Sequence, residues 1–361
     1  MGPSKCGILT TAVTVVYTVS VLAAPNVTFA SPAPAPAPPP SASASSSLPQ
    51  RTDLKAVREQ LRQLYHDAAV ATEAYNAAEE ASEKQCARIV ALAKENIKLQ
   101  EKLAYLKGQA GAAARAQYRT GGLPPEAQLV LSDDPEMFLD STATLYQGER
   151  ATQGVIGEIA RAQKELERNA RVASAQWQKL EAQRKAKAAA EKLITRQIAT
   201  AEKLESKLEK EEKERLAKLD REAELMAQTA WLNSGIVKDI KGQASEAGER
   251  AVRFAMAQLG KPYVWGAEGP DSYDCSGLTS QAWAAAGRSI VRTSQEQWNR
   301  LKRIDMKDMR PGDLIIYFKD ATHVSMYIGD GMMVHAPRPG RAVTVAGAGS
   351  MPILGVVRPD A

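Results

Sequence analysis

Apolar residues recur at alternating three- and four-residue steps through the first ordered-looking stretch of the chain. They are Leu54 and Val57, Leu61 and Leu64, Ala68 and Ala71, Tyr75 and Ala78, Ile89 and Leu92, and Leu103 and Leu106. That spacing puts one stripe on a helix and directs it at another helix. Ser82, Gln85 and Asn96 interrupt the stripe, and polar residues at such positions set register or partner choice. Alanine fills many of the remaining positions, so each residue buries little and the helix needs a partner.

The partner is expected in the same chain. Thr120-Gly-Gly-Leu-Pro-Pro125 cannot continue a helix. Residues 127–139 then suggest two short helices at a bend, with Asp133 or Asp134 as N-cap and Pro135 at the first helical position. From about Thr142 to Leu232 a charged helix resumes, with Ile159, Leu166, Ala173, Leu180, Ile194, Ala201 and Leu208 at heptad multiples and Lys187 also on the seam. This predicts an antiparallel coiled-coil hairpin over 51–232 with its tip near 120–140; the alternative is a parallel dimer of such helices. His66 reads as a surface residue of the first helix.

Gly235 and Gly242 mark a linker at 233–243, and the pattern changes after it. A helix is expected over Glu246–Leu259 and another from Cys275. Short β-like runs follow at Asp313–Phe318, His323–Ile328, Met332–Ala336, Ala342–Val345 and Leu354–Val357. Helices first and strands second predict an α+β domain over 244–361.

The N-terminus differs again. Residues 1–30 carry Lys5, an apolar run from Ile8 to Ala24 and then small residues, the pattern of an export signal with cleavage after Ala30. The alternative is a retained membrane anchor, but the run is short of the roughly 20 strongly apolar residues a span needs. Residues 31–50 are almost entirely Pro, Ala and Ser, a disordered spacer with polyproline character. The 47 basic and 42 acidic residues are interleaved, so the net charge of +5 points to no nucleic-acid partner. The dense Lys/Glu content of 202–224 reads as a solvated helix face.

Candidate chemistry centres on Cys275, which follows a loop rich in Gly, Pro and Asp and begins a helix. A thiol there meets unpaired backbone N–H groups and the positive end of the helix dipole, both of which favour thiolate. Of the three histidines, His323 and His335 lie in downstream β-like runs. A cysteine nucleophile, an imidazole base and a second group orienting the base are the parts of a thiol hydrolase or transferase. The competing reading is a buried structural cysteine and two structural strand histidines. Two strand histidines without nearby acidic or thiol ligands make a poor metal site, and no cofactor is called for.

Six ordered motifs carry a family resemblance: Gly260-Lys-Pro-Tyr-Val-Trp-Gly266, Asp274-Cys-Ser-Gly277, Arg292-Thr-Ser-Gln295, Arg310-Pro-Gly-Asp-Leu314, His323-Val-Ser-Met-Tyr-Ile-Gly329 and His335-Ala-Pro337. In this order they resemble the NlpC/P60 cysteine peptidases of bacterial cell walls. The resemblance implies a papain-like domain in which Cys275 attacks, His323 acts as base and His335 orients it, with Tyr263 lining the site. Asp274 and Ser276 are candidates for substrate binding or for local capping. The implied substrate is the stem peptide of peptidoglycan, cut between D-glutamate and the diamino acid. The helical region resembles those ahead of such domains in secreted wall enzymes. It implies a rod that holds the enzyme inactive or receives a signal from a membrane division or elongation complex. An acyl-transferring enzyme, or a scaffold with a weakly active hydrolase domain, are the alternatives.

Overall fold

A computed structural model describes residues 53–119, 127, 131, 135–240 and 242–361. The expected signal, the Pro/Ala/Ser spacer and most of the hairpin tip lie outside the described residues. Two long helices dominate the N-terminal part: α1, Leu54–Arg119, and α2, Pro135–Ser206. At 1.5 Å per residue each spans about 100 Å. Their cross-contacts run in opposite senses. Tyr65 Oη donates to Glu205 (3.0 Å), Lys187 Nζ to Glu79 (2.7 Å), Asn169 Nδ2 to Asn96 (2.9 Å), and Lys102 pairs with Glu158 (3.0 Å). The pair is therefore the antiparallel hairpin.

The seam residues Leu180, Ile194 and Ala201 have no exposed surface. Its polar interruptions are matched across the pair, Asn96 with Asn169 and Gln85 with Gln176. Buried amides cost stability unless both are satisfied, so these pairs hold one register. Lys187 stays on the seam by placing its ammonium on Glu79 and over the Tyr75 ring, 4.8 Å from the centroid.

Three expectations need correction. Pro135 does open α2, but that helix runs straight on to Ser206, so the expected second short helix at the bend is part of the long one. The second long helix then stops at Ser206, and α3, Lys210–Asn233, begins after a turn. No glycine or proline marks that break. Glu209 accepts from the third helical N–H while Glu212 accepts from the Glu209 N–H (3.1 Å), a capping box that restarts the helix. His66 is not a free surface residue: its Nε2 lies 3.0 Å from Asp320 and its ring packs edge-on against Phe318.

After one helical turn, α4 (Ile236–Asp239), the C-terminal domain begins with α5, Glu246–Met256, capped by Ser245. It continues with α6, Cys275–Ala285, and α7, Ser294–Arg300. Six strands follow: β1 Lys302–Ile304, β2 Leu314–Tyr317, β3 His323–Gly329, β4 Met332–His335, β5 Thr344–Gly347 and β6 Ile353–Arg358. They form one antiparallel sheet in the order β1-β6-β2-β3-β4-β5. Alternate residues of the central strands fill two cores. Leu314, Ile316, Val324, Met326 and Val334 pack with Leu278 and Trp283 of α6. Ile315, Tyr317, Tyr327 and Met333 pack on the other side, where Trp231 of α3 joins them. Asp313, in the Arg-Pro-Gly-Asp motif, accepts from the Arg310 N–H (2.8 Å) and from Arg358 (2.8 Å), which fixes the turn into β2. Among the described residues no helix is long and apolar enough to cross a membrane.

Candidate active site

Asp274 caps α6, accepting from Gly277 N at 2.7 Å, and so sets where the helix begins and where Cys275 stands. Its carboxylate also takes a two-pronged contact from Arg292 (3.0 and 2.7 Å) and the Gly266 N–H (2.9 Å). Capping, ion pairing and loop anchoring thus account for Asp274. Gly277 is required by closeness: a Cβ there would overlap the Ala267 carbonyl, so α6 starts pressed against the 264–267 loop.

The two histidines meet because β3 begins and antiparallel β4 ends at the same edge of the sheet. His323 Nε2 lies 2.9 Å from His335 Nδ1, one of the two nitrogens carrying the proton. Helix α6 packs on β3 through Leu278 and Trp283 against Val324 and Met326, and Cys275 is buried in the same cluster as Val324, the residue after His323. Burial lowers His323 to about 4, and burial and the neighbouring His323 hold His335 well below the usual imidazole range. Both rings are therefore neutral at rest.

The thiol does not show the acidity expected of a helix start. Burial, followed by the carboxylates of Glu73 and Asp274, pushes Cys275 well above the ordinary thiol range. Desolvation and the neighbouring carboxyl groups outweigh the helix terminus, because a thiolate here has lost water and faces Asp274.

Glu73 comes from the first third of α1, and the sequence reading did not single it out. Its Oε1 accepts from Ser276 Oγ (2.8 Å) and, at 3.6 Å, from the Cys275 thiol; its Oε2 accepts from Ser294 N (2.9 Å). Three residues on, Asn76 Nδ2 donates to Asp274 (3.1 Å), while Thr72, its hydroxyl donated to the Ala68 carbonyl, faces the Tyr263 hydroxyl. Tyr75 packs edge-on against Trp265, 5.0 Å between centroids, over Gly266, where any Cβ would crowd its ring. Thr72, Glu73 and Asn76 are each 2–3% exposed and Cys275 is 3% exposed, so α1 covers the nucleophile. The only sequence signal for this was the polar trio set among Ala68 and Ala71, both 2% exposed, beside the seam.

The expected substrate-binding residues are thus occupied in this state: Tyr263 by Thr72, Asp274 by Asn76 and Arg292, and Ser276 by Glu73 and Arg292. No cluster able to hold a metal ion occurs among the described residues.

Comparison with known proteins bears on the same region. Residues 260–350 match the NlpC/P60 family. The chain carries an NlpC/P60 domain. A probable endopeptidase of Corynebacterium glutamicum is 38% identical over 115 residues, covering 32% of this chain and 55% of that protein. A probable endopeptidase p60 of Listeria monocytogenes is 43% identical over 84 residues, 23% of this chain and 17% of that one. Among solved structures, the NlpC/p60 domain of the peptidoglycan hydrolase SagA is 31% identical, with 31% of this chain and 97% of that one covered and a TM-score of 0.29. This chain thus spans about half the length of the Corynebacterium relative. The relatives are named probable endopeptidases.

Proposed function

We propose that this protein hydrolyses peptidoglycan stem peptides at Cys275, at the bond following D-glutamate, and that α1 holds the enzyme closed until it is displaced. The observation that supports the chemistry is a helix-start cysteine on α6, which packs on β3, whose first residue His323 has its Nε2 2.9 Å from a second histidine, within a domain matched to the NlpC/P60 family. In the open enzyme the Cys275 thiol loses its proton to His323 and the sulfur attacks the peptide carbonyl. Backbone N–H groups at the start of α6 steady the oxyanion. His323 then protonates the leaving amine, and water attacks the thioester and releases the acid. His335 keeps the His323 ring oriented and stabilises its charged form. The export-like residues 1–30 support action outside the cell membrane, at the wall, with the coiled coil as the part that meets a membrane complex.

Closure is read from Glu73, whose carboxyl occupies the space a substrate needs and raises the thiol. The test is digestion of purified peptidoglycan by the full chain, by the Glu73→Ala/Asn76→Ala variant and by that variant carrying Cys275→Ala, with mass spectrometry of the products. The expected result is slow release by the wild type, release at least about tenfold faster by the double variant, since several hydrogen bonds of about 1 kcal/mol each are removed, and none without the thiol. Release of stem peptides by the Cys275→Ala form would overturn the mechanism, and equal rates for the first two would overturn the closure.

A further inference from the structure

We propose that the α1 latch is closed by a proton: it seats with the Glu73 carboxyl neutral and is released as that carboxyl ionises. The inference rests on the reading of α1 as a latch and concerns what sets its strength. Its basis is a count of charge in a dry site. Glu73 is 3% exposed, and the cation that faces it among the described residues is Arg292. That guanidinium is already committed, two-pronged to Asp274 and through Nε to Glu268, and it reaches Glu73 only through the Ser276 hydroxyl, 2.8 Å from each. The remaining titratable neighbours add no positive charge. Cys275 and Tyr263 are held protonated and neutral, and His323 and His335 are held neutral by burial. An ionised Glu73 would keep its hydrogen bonds from Ser276 and Ser294 but would have no cation of its own beside Asp274, and a buried charge left without an ion partner takes up a proton instead.

The surroundings push the same way. A cleft of about 420 Å³ beside Glu73 is lined by Glu79, Glu80 and Glu83 of α1 and by Glu268 of the domain, which repel across it when ionised. Glu79 is offset by Lys187 of α2, Glu80 by Lys84 and Glu268 by Arg292, leaving the charge of Glu83 facing the cleft.

Burial, then Asp274, raises Glu73 from 4.5 to about 7 in the closed state. A carboxyl whose value is higher closed than open gives closure its full strength below the open value. That strength is lost as pH rises through the closed value, here between about 4.5 and 7.

The experiment is the rate of Cys275 alkylation by iodoacetamide in the full chain, wild type and Glu73→Gln, followed by mass spectrometry of the Cys275 peptide. Glutamine keeps the shape and cannot ionise, and dividing one rate by the other cancels the pH dependence of the thiol itself. The ratio of wild type to Glu73→Gln is expected to rise about 30-fold from about pH 5 to about pH 7 and to level off above. A flat ratio overturns the proposal, as does a ratio that falls. Glu73→Ala, alkylated faster than both at about pH 5, marks the open limit and guards against misreading an unfolded glutamine variant. Stem-peptide digestion on the same samples separates the two readings. A rising alkylation ratio without cleavage by any variant leaves the proton latch standing and removes the hydrolase, whereas cleavage with a flat ratio does the reverse.

Discussion

At the scale of single residues, the site is a set of groups each held in the protonation state it must leave. The thiol is kept up and the imidazoles are kept down by one cause, loss of water, and the inserted carboxyl adds to the first effect. His335 illustrates what the arrangement demands. Its Nδ1 meets His323 Nε2 at 2.9 Å, and in the proposed mechanism it would fix the ring and share the charge that forms on it. In an opened Glu73→Ala background, His335→Ala is expected to lower kcat/KM about 10²- to 10³-fold. His335→Asn, which can offer a side-chain oxygen to the same nitrogen, should recover part of that loss, and melting temperatures should change little. A structural role alone would lower the melting temperature and leave the two variants alike. Cys275 and both histidines were legible in sequence because each stands out from its context, a thiol after a turn-rich loop and imidazoles in apolar strands. Glu73 was not, because one carboxylate among many on a charged helix carries no local mark; only its burial distinguishes it.

At the scale of elements, legibility follows the length of the repeat. The long helices announce themselves through many heptads, and the central strands through apolar alternation bounded by Gly and Asp. Strand β1, Lys302–Ile304, is three residues long with two exposed cations, so nothing periodic betrays it. The break at Ser206–Lys210 rests on a glutamate capping box inside a run rich in Glu and Lys, which hides it. The join of α6 to its loop is a case where one residue decides an element. A Cβ on Gly277 would meet the Ala267 carbonyl oxygen and lie 2.9 Å from Asp274 Oδ1. Gly277→Ala must therefore push the helix start off the loop, at a cost of about 2 kcal/mol. Calorimetry should show the NlpC/P60 domain melting about 5 °C lower or more, with Cys275 alkylated faster because α1 seats on the displaced loop. An unchanged melting temperature would mean that the helix start can slide without penalty.

At the scale of the whole molecule, the domain is gripped from two sides by parts of one continuous rod. Helix α1 lies in the active-site groove, while α3 docks near the far end of the sheet, where Gln228 donates to Gly331 O (3.0 Å) and accepts from Gly349 N (2.6 Å). The turn at 207–209 joins these grips, and Arg338, in the loop after β4, ties the domain to the rod close by. Its guanidinium stacks 3.9 Å from the centroid of Tyr65 on α1 and reaches Glu205 at the end of α2 at 3.9 Å. Arg338 and Glu205 are about one-third exposed, and a pair of that kind contributes little, so stacking on Tyr65 is the larger part, about 1 kcal/mol. Arg338→Ala is then expected to raise the open fraction, and with it the rate of Cys275 alkylation, about fivefold. Arg338→Lys should restore little of the closure, because an ammonium lacks the planar stack. The effect should multiply with that of Glu73→Ala only while the latch remains mostly closed; once α1 has left the groove, Arg338 has nothing further to release. An alkylation rate indifferent to Arg338 would place the whole strength of closure in the groove, and the loop after β4 would then touch the rod without holding it.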